Sequence, residues 1–219
     1  MDISTAFTFV KNDKDWITKV LITGLISLIP IVGQLYLAGW SMDIAKRYTV
    51  DRTVLLPDVN FGQYIKIGFK YCVVNLVYAL PIIILAVFTS FFTSVFMNSD
   101  SEGIQFFGAA LSCGMSFIYF ILGLAISIFA YAGIMRLIEN EQMKDAFNFA
   151  EVWKMVKKSP KTFILLLLLS LLVFLISSLG LVVCFIGVIF TTPYAMAVWG
   201  YLFGQAKVEI DEMQQVISE

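Results

Sequence analysis

Four stretches of this chain, residues 20–42, 71–99, 103–135 and 162–206, contain no Asp, Glu, Lys or Arg. All the charges fall in the short segments between them. A helix needs about 20 mainly apolar residues to cross a ~30 Å hydrocarbon layer, and soluble cores are rarely so long, so apolar and so free of charge. The pattern therefore predicts an all-α, polytopic helical membrane bundle in one domain, 1–219. As a single helix the stretch 162–206 would reach ~67 Å, more than twice the hydrocarbon thickness. A turn near Ser177, Ser178 and Gly180, or slightly later at Gly187, is expected to divide it into two spans.

The stretch 20–42 is interrupted by Pro30-Ile31-Val32-Gly33. One reading is a single kinked span, giving five spans with the N-terminus outside. The other is a broken, re-entrant hairpin over 17–46 in front of four full spans, with the N-terminus inside. Lys11, Lys14 and Lys19 favour the second, as does an internal repeat. Asn60-Phe61 followed by Lys66 and Lys70 recurs 88 residues later as Asn148-Phe149 followed by Lys154 and Lys158, and Ala6-Phe7-Thr8-Phe9 resembles Ala146-Phe147-Asn148-Phe149. The chain then divides into units 1–56, 57–138 and 139–219, each a basic amphipathic segment followed by a helical hairpin.

Lysine and arginine set the expected orientation. Segments 43–70 and 136–161 are basic, whereas 98–104 carries only Asp100 and Glu102, which places the first two in the cytoplasm and the third outside. Within the basic segments Phe61, Ile65, Phe69 and Cys72 recur at helical spacing, as do Phe149, Val152 and Val156. The pattern predicts two cytoplasmic amphipathic helices in the headgroup layer, with Tyr64 and Trp153 at interfacial depth. Lys66, Lys70, Trp153, Lys154, Lys157 and Lys158 are the candidate contacts to anionic lipid or to a partner; a plain topological anchor uses the same residues.

Composition narrows the function classes. With 59% hydrophobic residues, a mean hydropathy of +0.86 and a net charge of -1, the chain has no soluble domain to hold an active site and no basic surface for nucleic acid. The early Asp2, Asp13 and Asp15 do not suit a cleavable signal, so the chain is read as mature from Met1. Cys72, Cys113 and Cys184 lack CxxC spacing and there is no His, so the cysteines are expected to be small buried hydrophobes; no metal or cofactor is expected. Paired catalytic carboxylates, a nucleophile with its base, and phosphate-binding glycine loops are all lacking, which argues against an enzyme. Gradient-coupled carriers keep ionisable groups inside the membrane, and here only Gln34, Asn75, Thr191, Thr192 and scattered serines fall there. Helices interrupted at Pro30 and Pro193 would suit a midplane site, but the same polar groups fit structural packing. Gly108, Ser112 and Ser116, and Met196, Gly200 and Gly204, recur every fourth position; helix packing within the monomer is the first reading and a homo-oligomer the second.

Trp16, Lys19, the break at Pro30, Gly39-Trp40, Leu56-Pro57-Asp58, Phe61-Gly62 and Gly68 resemble the domain of unknown function 4013 family of small prokaryotic integral membrane proteins. The resemblance implies a prokaryotic cell membrane and brings no catalytic residues with it. The expected role is that of a non-enzymatic accessory or scaffold protein, multi-pass in the plasma membrane, with the lipid bilayer and a membrane protein as partners. A small-solute or lipid transporter is the alternative.

Overall fold

A computed structural model describes residues 1–182 and 184–218, with side chains described except at 179, 181–186, 214 and 216–218. Every regular element among the described residues is helical. Helix α1 (Ile3–Thr8) starts at Asp2, whose carboxylate accepts from Thr5 N, and passes through a 3-10 turn into α2 (Trp16–Ser27). Pro30 then ends the helical run, because it has no N–H to donate and disfavours helical backbone at the residue before it. Ile31 completes the reversal at φ 66°, ψ -60°, a positive-φ γ-turn that is rare for a β-branched residue, with Val32 N donating to Pro30 O at 2.7 Å, and α3 runs from Val32 to Val50.

The two arms fold back on each other. A Cβ on Gly33 would overlap Ile26 O, and Gln34 Nε2 donates to Ser27 O at 3.2 Å, satisfying a carbonyl at the end of α2. At 12 residues α2 is only about 18 Å long, too short to cross a ~30 Å layer. The hairpin over 17–46 is thus a pair of antiparallel helices broken at Pro30 to Gly33.

Asn60 caps α4 (Phe61–Met97) by accepting from Gln63 N, and α5 (Glu102–Asn140) returns beside it. Helix α5 ends where Glu141 adopts φ 58°. The short α6 (Met143–Ala146) leads to α7 (Phe149–Lys158), capped by Asn148, and Ser159-Pro160 separates it from α8 (Pro160–Val182). Helix α9 (Cys184–Ser218) packs along α8. Among the described residues three helical stretches, Phe61–Met97, Glu102–Asn140 and Pro160–Ser178, are long and apolar enough to cross a membrane. With their length and composition, the molecule is a helical membrane protein.

The core gathers at the charged end and α3 is its axis. Tyr36, Trp40 and Ile44 of α3 are fully buried, together with Tyr64, Met135 and Phe203 from the helices around it. Close approach is made by missing side chains: a Cβ on Gly39 would overlap Tyr64 O, one on Gly68 would overlap Leu35 O, and one on Gly200 would overlap Ser41 O. Ser41 Oγ then donates to Met196 O at 2.6 Å, joining α3 to α9. Away from this end α4 and α5 are sparsely covered. Phe88, Phe91, Phe106 and Phe117 are each more than 60% exposed, the surface expected of hydrocarbon-facing helices.

Several expectations need correcting. Residues 61–70 are not a separate amphipathic helix; they are the first turns of α4, because no Pro or Gly pair interrupts the chain between Asn60 and Met97 before Pro81 and the helix runs through that residue too. Tyr64 does not sit at a headgroup surface: it is buried at 1% exposure between α3 and α4, edge-on to Tyr36, with its hydroxyl donating to Asp58 O at 2.8 Å. Cys72 and Cys113 are exposed rather than buried, on the outer faces of α4 and α5, and the Cys184 side chain lies outside the described residues. Ser177, Ser178 and Gly180 are inside α8, which ends at Val182, and Gly187 is inside α9, which begins at Cys184, so the division falls between the two expected places; Val183 is outside the described residues. Pro193 lies within α9, which runs on through it.

Candidate functional site

The charged side chains of the two basic segments form two separate arrangements at the core end. The first is on α7. Val152 and Met155 bury one face of that helix against the bundle, while Trp153, Lys154, Lys157 and Lys158 are exposed on another. The face is held rather than loose. Trp153 stacks on Phe129 of α5 with 5.5 Å between centroids and 3° between planes, and Lys157 Nζ lies 4.9 Å above the Trp153 ring. Lys154 Nζ binds Glu151 at 2.8 Å, and Arg136 approaches the same carboxylate at 4.0 Å. Lys154 first, and then Arg136 and Lys158, hold the Glu151 carboxyl below its ordinary range. Behind α7, Tyr78 OH donates to Ala146 O at 2.7 Å and its ring meets Phe149 edge-on at 5.5 Å.

The second arrangement is a cleft of about 260 Å³ between α3, α4 and α5. Lys46, Lys66 and Lys70 stand around it with Asp43, Gln63 and Glu141, over an apolar floor that includes Met42, Ile67 and Leu137. Lys46 pairs with the Glu141 carboxylate and Lys70 Nζ donates to the Glu141 carbonyl at 3.0 Å, so that one left-handed residue at the end of α5 is gripped from α3 and α4 together. The Glu141 carboxyl is held below its ordinary range, chiefly by Lys46 and with help from Lys70 and Lys66. Sequence reasoning missed Lys46 and Glu141 as members of this group. Their partnership spans 95 positions and has no local signature.

The small residues divide in the same way. A Cβ on Gly108 would lie 2.9 Å from Phe96 Cβ, which sets the closeness of α4 and α5 near their turn. Ser112 and Ser116 are exposed and donate to their own helix, at Gly108 O (2.9 Å) and Ser112 O (2.8 Å). Gly200 faces Ser41 and Gly204 faces Ala45 and Tyr48, both in the α3–α9 crossing.

Several polar groups within the apolar stretches are bonded internally, whereas Thr23 Oγ1 and Tyr36 OH are buried without a hydrogen-bond partner among the described residues. Asn75 Nδ2 donates to Tyr71 O at 2.9 Å, Thr191 Oγ1 to Gly187 O at 3.0 Å, and Ser177 Oγ to Thr192 Oγ1 at 3.3 Å. At the core end Lys207, 3% exposed, sits between Asp211 and Glu139 at 2.5 and 3.3 Å. No group of three or more metal-ligating side chains occurs among the described residues.

Several of the residues behind the family resemblance, Lys19, Gly39, Trp40, Leu56, Pro57, Asp58 and Gly68, meet at one junction. Lys19 Nζ binds Asp13, Asp58 and the Leu56 carbonyl at 2.8 to 2.9 Å, and Trp40 Nε1 donates to Pro57 O at 3.3 Å. Gly39 and Gly68 form the adjacent α3–α4 crossing. Their chemistry is that of a strap fastening α2 to the loop before α4. A family model described as "Protein of unknown function (DUF4013)" matches residues 22–203. No curated protein and no solved structure matches the chain.

Proposed function

The chain belongs to the DUF4013 family, and we propose that it serves there as a non-enzymatic accessory or scaffold protein of the prokaryotic plasma membrane, with α7 as its docking helix. The observation that supports this reading most is the contrast between the spans and the basic end. The apolar stretches carry no Asp, Glu, His, Lys or Arg, and Gln34, Asn75 and Thr191 are bonded within the fold, which leaves them without the usual coupling groups of a gradient-driven carrier. On α7, by contrast, three lysines and a tryptophan are presented on a helix already fixed to the bundle. A pre-ordered face loses little conformational freedom when a partner binds it.

In this reading α4, α5, α8 and α9 are four crossings, the α2–α3 hairpin is re-entrant, and both termini with the basic segments lie in the cytoplasm, as the lysine distribution favours. The units 1–56, 57–138 and 139–219 share a plan of a basic segment and a hairpin. Supporting that plan, Asp2, Asn60 and Asn148 each cap a helix at the start of a unit or within it, and Ala6 and Ala146 are both fully buried.

The test is purification of the full chain in native lipid alongside the triple variant Lys154→Gln, Lys157→Gln, Lys158→Gln. A stoichiometric membrane protein retained by the parent and lost from the folded variant supports the reading. Catalysed solute or lipid movement in proteoliposomes, abolished by Asn75→Leu or Gln34→Leu, replaces it with the transporter.

A further inference from the structure

The cleft beside Glu141 has an electrostatic imbalance that the fold does not resolve. Of its two acidic side chains, Asp43 bonds Arg47 at 2.8 Å and Glu141 pairs with Lys46. Each carboxylate is thereby neutralised by a single cation. Lys66 and Lys70 remain, four residues apart on one face of α4 and both lining the same cleft. Lys70 reaches only a neutral carbonyl, and Lys66 makes no hydrogen bond and no ion pair among the described residues, its attraction to Glu141 acting through space. Like charges at this spacing repel, and an anion between them relieves that repulsion.

The position of the cleft narrows the anion. Lys66 and Lys70 immediately precede the charge-free stretch 71–99, and below the lysines the lining turns apolar at Ile67, Tyr71, Ile134, Leu137 and Ile138. A site with ammonium groups at its mouth and hydrocarbon at its floor matches a molecule that is anionic at one end and apolar at the other. Its volume of about 260 Å³ lies just below the range of sites that enclose whole drug-sized ligands, and suits a headgroup with its chains left outside.

We propose that the cleft between α3, α4 and α5 binds the phosphate of one anionic phospholipid, with Lys66 and Lys70 as its direct ligands and Lys46 holding Glu141 out of its way. Lys46 is a positioning residue in this arrangement. Its ion pair keeps the Glu141 carboxylate neutralised, so that the carboxylate does not repel the incoming phosphate. The site is independent of α7 and of whatever docks there: no residue lining the cleft belongs to that helix.

The experiment is native mass spectrometry of the full chain from mild detergent, with phosphatidylglycerol, phosphatidylcholine or inorganic phosphate added in turn. The expected result is one phosphatidylglycerol retained per chain at least tenfold more tightly than phosphatidylcholine. Lys66→Gln, a change at an exposed side chain with no bonded partner, weakens retention about fivefold, Lys66→Gln with Lys70→Gln weakens it further, and Lys66→Arg restores it. Lys154→Gln with Lys157→Gln leaves it unchanged. Equal retention of both lipids overturns the proposal, as does equal weakening by the α7 pair, which would mean diffuse surface charge. Thermal stabilisation by inorganic phosphate to the same extent as by phosphatidylglycerol also overturns it, by moving the source from lipid to a soluble phosphate.

Discussion

Segments 60–70 and 148–158 begin alike and end differently. Each opens on an asparagine whose side chain accepts from the backbone N–H three residues on, and each continues with a phenylalanine that meets a buried tyrosine ring. Burial keeps the same phase as well. Tyr64 and Val152, which correspond at a spacing of 88, are both buried, and Lys66 and Lys154 are both exposed. Twelve residues after each asparagine the chains part: Cys72 lets α4 continue to Met97, whereas Pro160 removes a donor, forces Ser159 out of helical backbone at φ -132°, ψ 53°, and starts α8 in a new direction. One proline separates the root of a long helix from a surface helix, and the chemistry divides with it. The lysines of the first segment converge on a cleft, and those of the second stand on an open face.

The deepest difference is at Gly68 and its counterpart Val156. Gly68 lies in the α3–α4 crossing, where a Cβ would overlap the backbone oxygen of Leu35, while Val156 is only half-buried. Giving the first segment the residue of the second, Gly68→Val, asks two helix backbones to separate, and a loss of about 4 kcal/mol or more is expected. The protein should fail to accumulate as a monodisperse species in detergent. The reverse change, Val156→Gly, costs about 1 kcal/mol and leaves the fold intact. Comparable behaviour of the two variants in size-exclusion and thermal-shift measurements would show that the segments are packed alike after all.

The next effect concerns the break itself. Cys72→Pro copies the α7–α8 junction into α4. It removes the hydrogen bond to the Gly68 carbonyl and costs about 3 kcal/mol, because there is little water at that depth to replace the lost partner. Pro160→Ala in the other segment is tolerated, since Val152 and Met155 still bind α7 to the bundle. A structure of Pro160→Ala in which residues 149–182 form one straight helix would show that the proline alone, and not the packing, sets α7 apart.

Much of this was legible in the chain, for local reasons. The break of the first apolar run is carried by Pro30, and the caps by Asn60 and Asn148, residues whose effect acts within one turn. The charge-free stretches likewise marked α4, α5 and α8. The end of α7 was legible too, at Pro160, yet a shared motif suggested two equivalent surface helices. The periodicity of Phe61, Ile65 and Phe69 could not distinguish a surface helix from the first turns of a longer one. Other features were not local. Asp43, Lys46 and Arg47 lie inside α3, and Lys46 finds Glu141, 95 positions away, only through the tertiary fold. Lys207 is buried for the same kind of reason, between a neighbour on its own helix and Glu139 on α5.

The caps give a smaller effect. Replacing either asparagine by alanine strands a helix N–H and costs about 1 kcal/mol. The consequence depends on the length and packing of the helix that each cap begins. In the 10-residue α7 the loss should raise hydrogen exchange across the whole of Phe149–Lys158, whereas in the 37-residue α4 it should be confined to the first turn, because Tyr64 and Gly68 are held by α3. Uniform exchange along both segments in Asn60→Ala would mean that α4 frays as a separate unit, and the difference drawn between them would fall.

The smallest effect is the response to acid, and it is the one in which the segments should agree. Glu151 is held below its ordinary value of 4.5 by Lys154 of the second segment, and Glu141 below the same value by Lys46, with Lys70 and Lys66 of the first segment contributing. A carboxyl whose pKa is depressed on folding adds stability that is fully present above its unfolded value and is lost as the pH falls through the folded one. Both contributions should therefore stay constant from about pH 7 to pH 5 and fade only below the ordinary value. Both pairs are exposed, so salt screens them and each contribution is slight. The measurement is the melting temperature of Glu141→Gln and Glu151→Gln against the parent from about pH 7 down to about pH 3. Each gap should be flat above pH 5 and close below it, and a gap at Glu141 that instead widens as the medium acidifies would mean that its carboxyl gains rather than loses a proton on folding, which would contradict its pairing with Lys46.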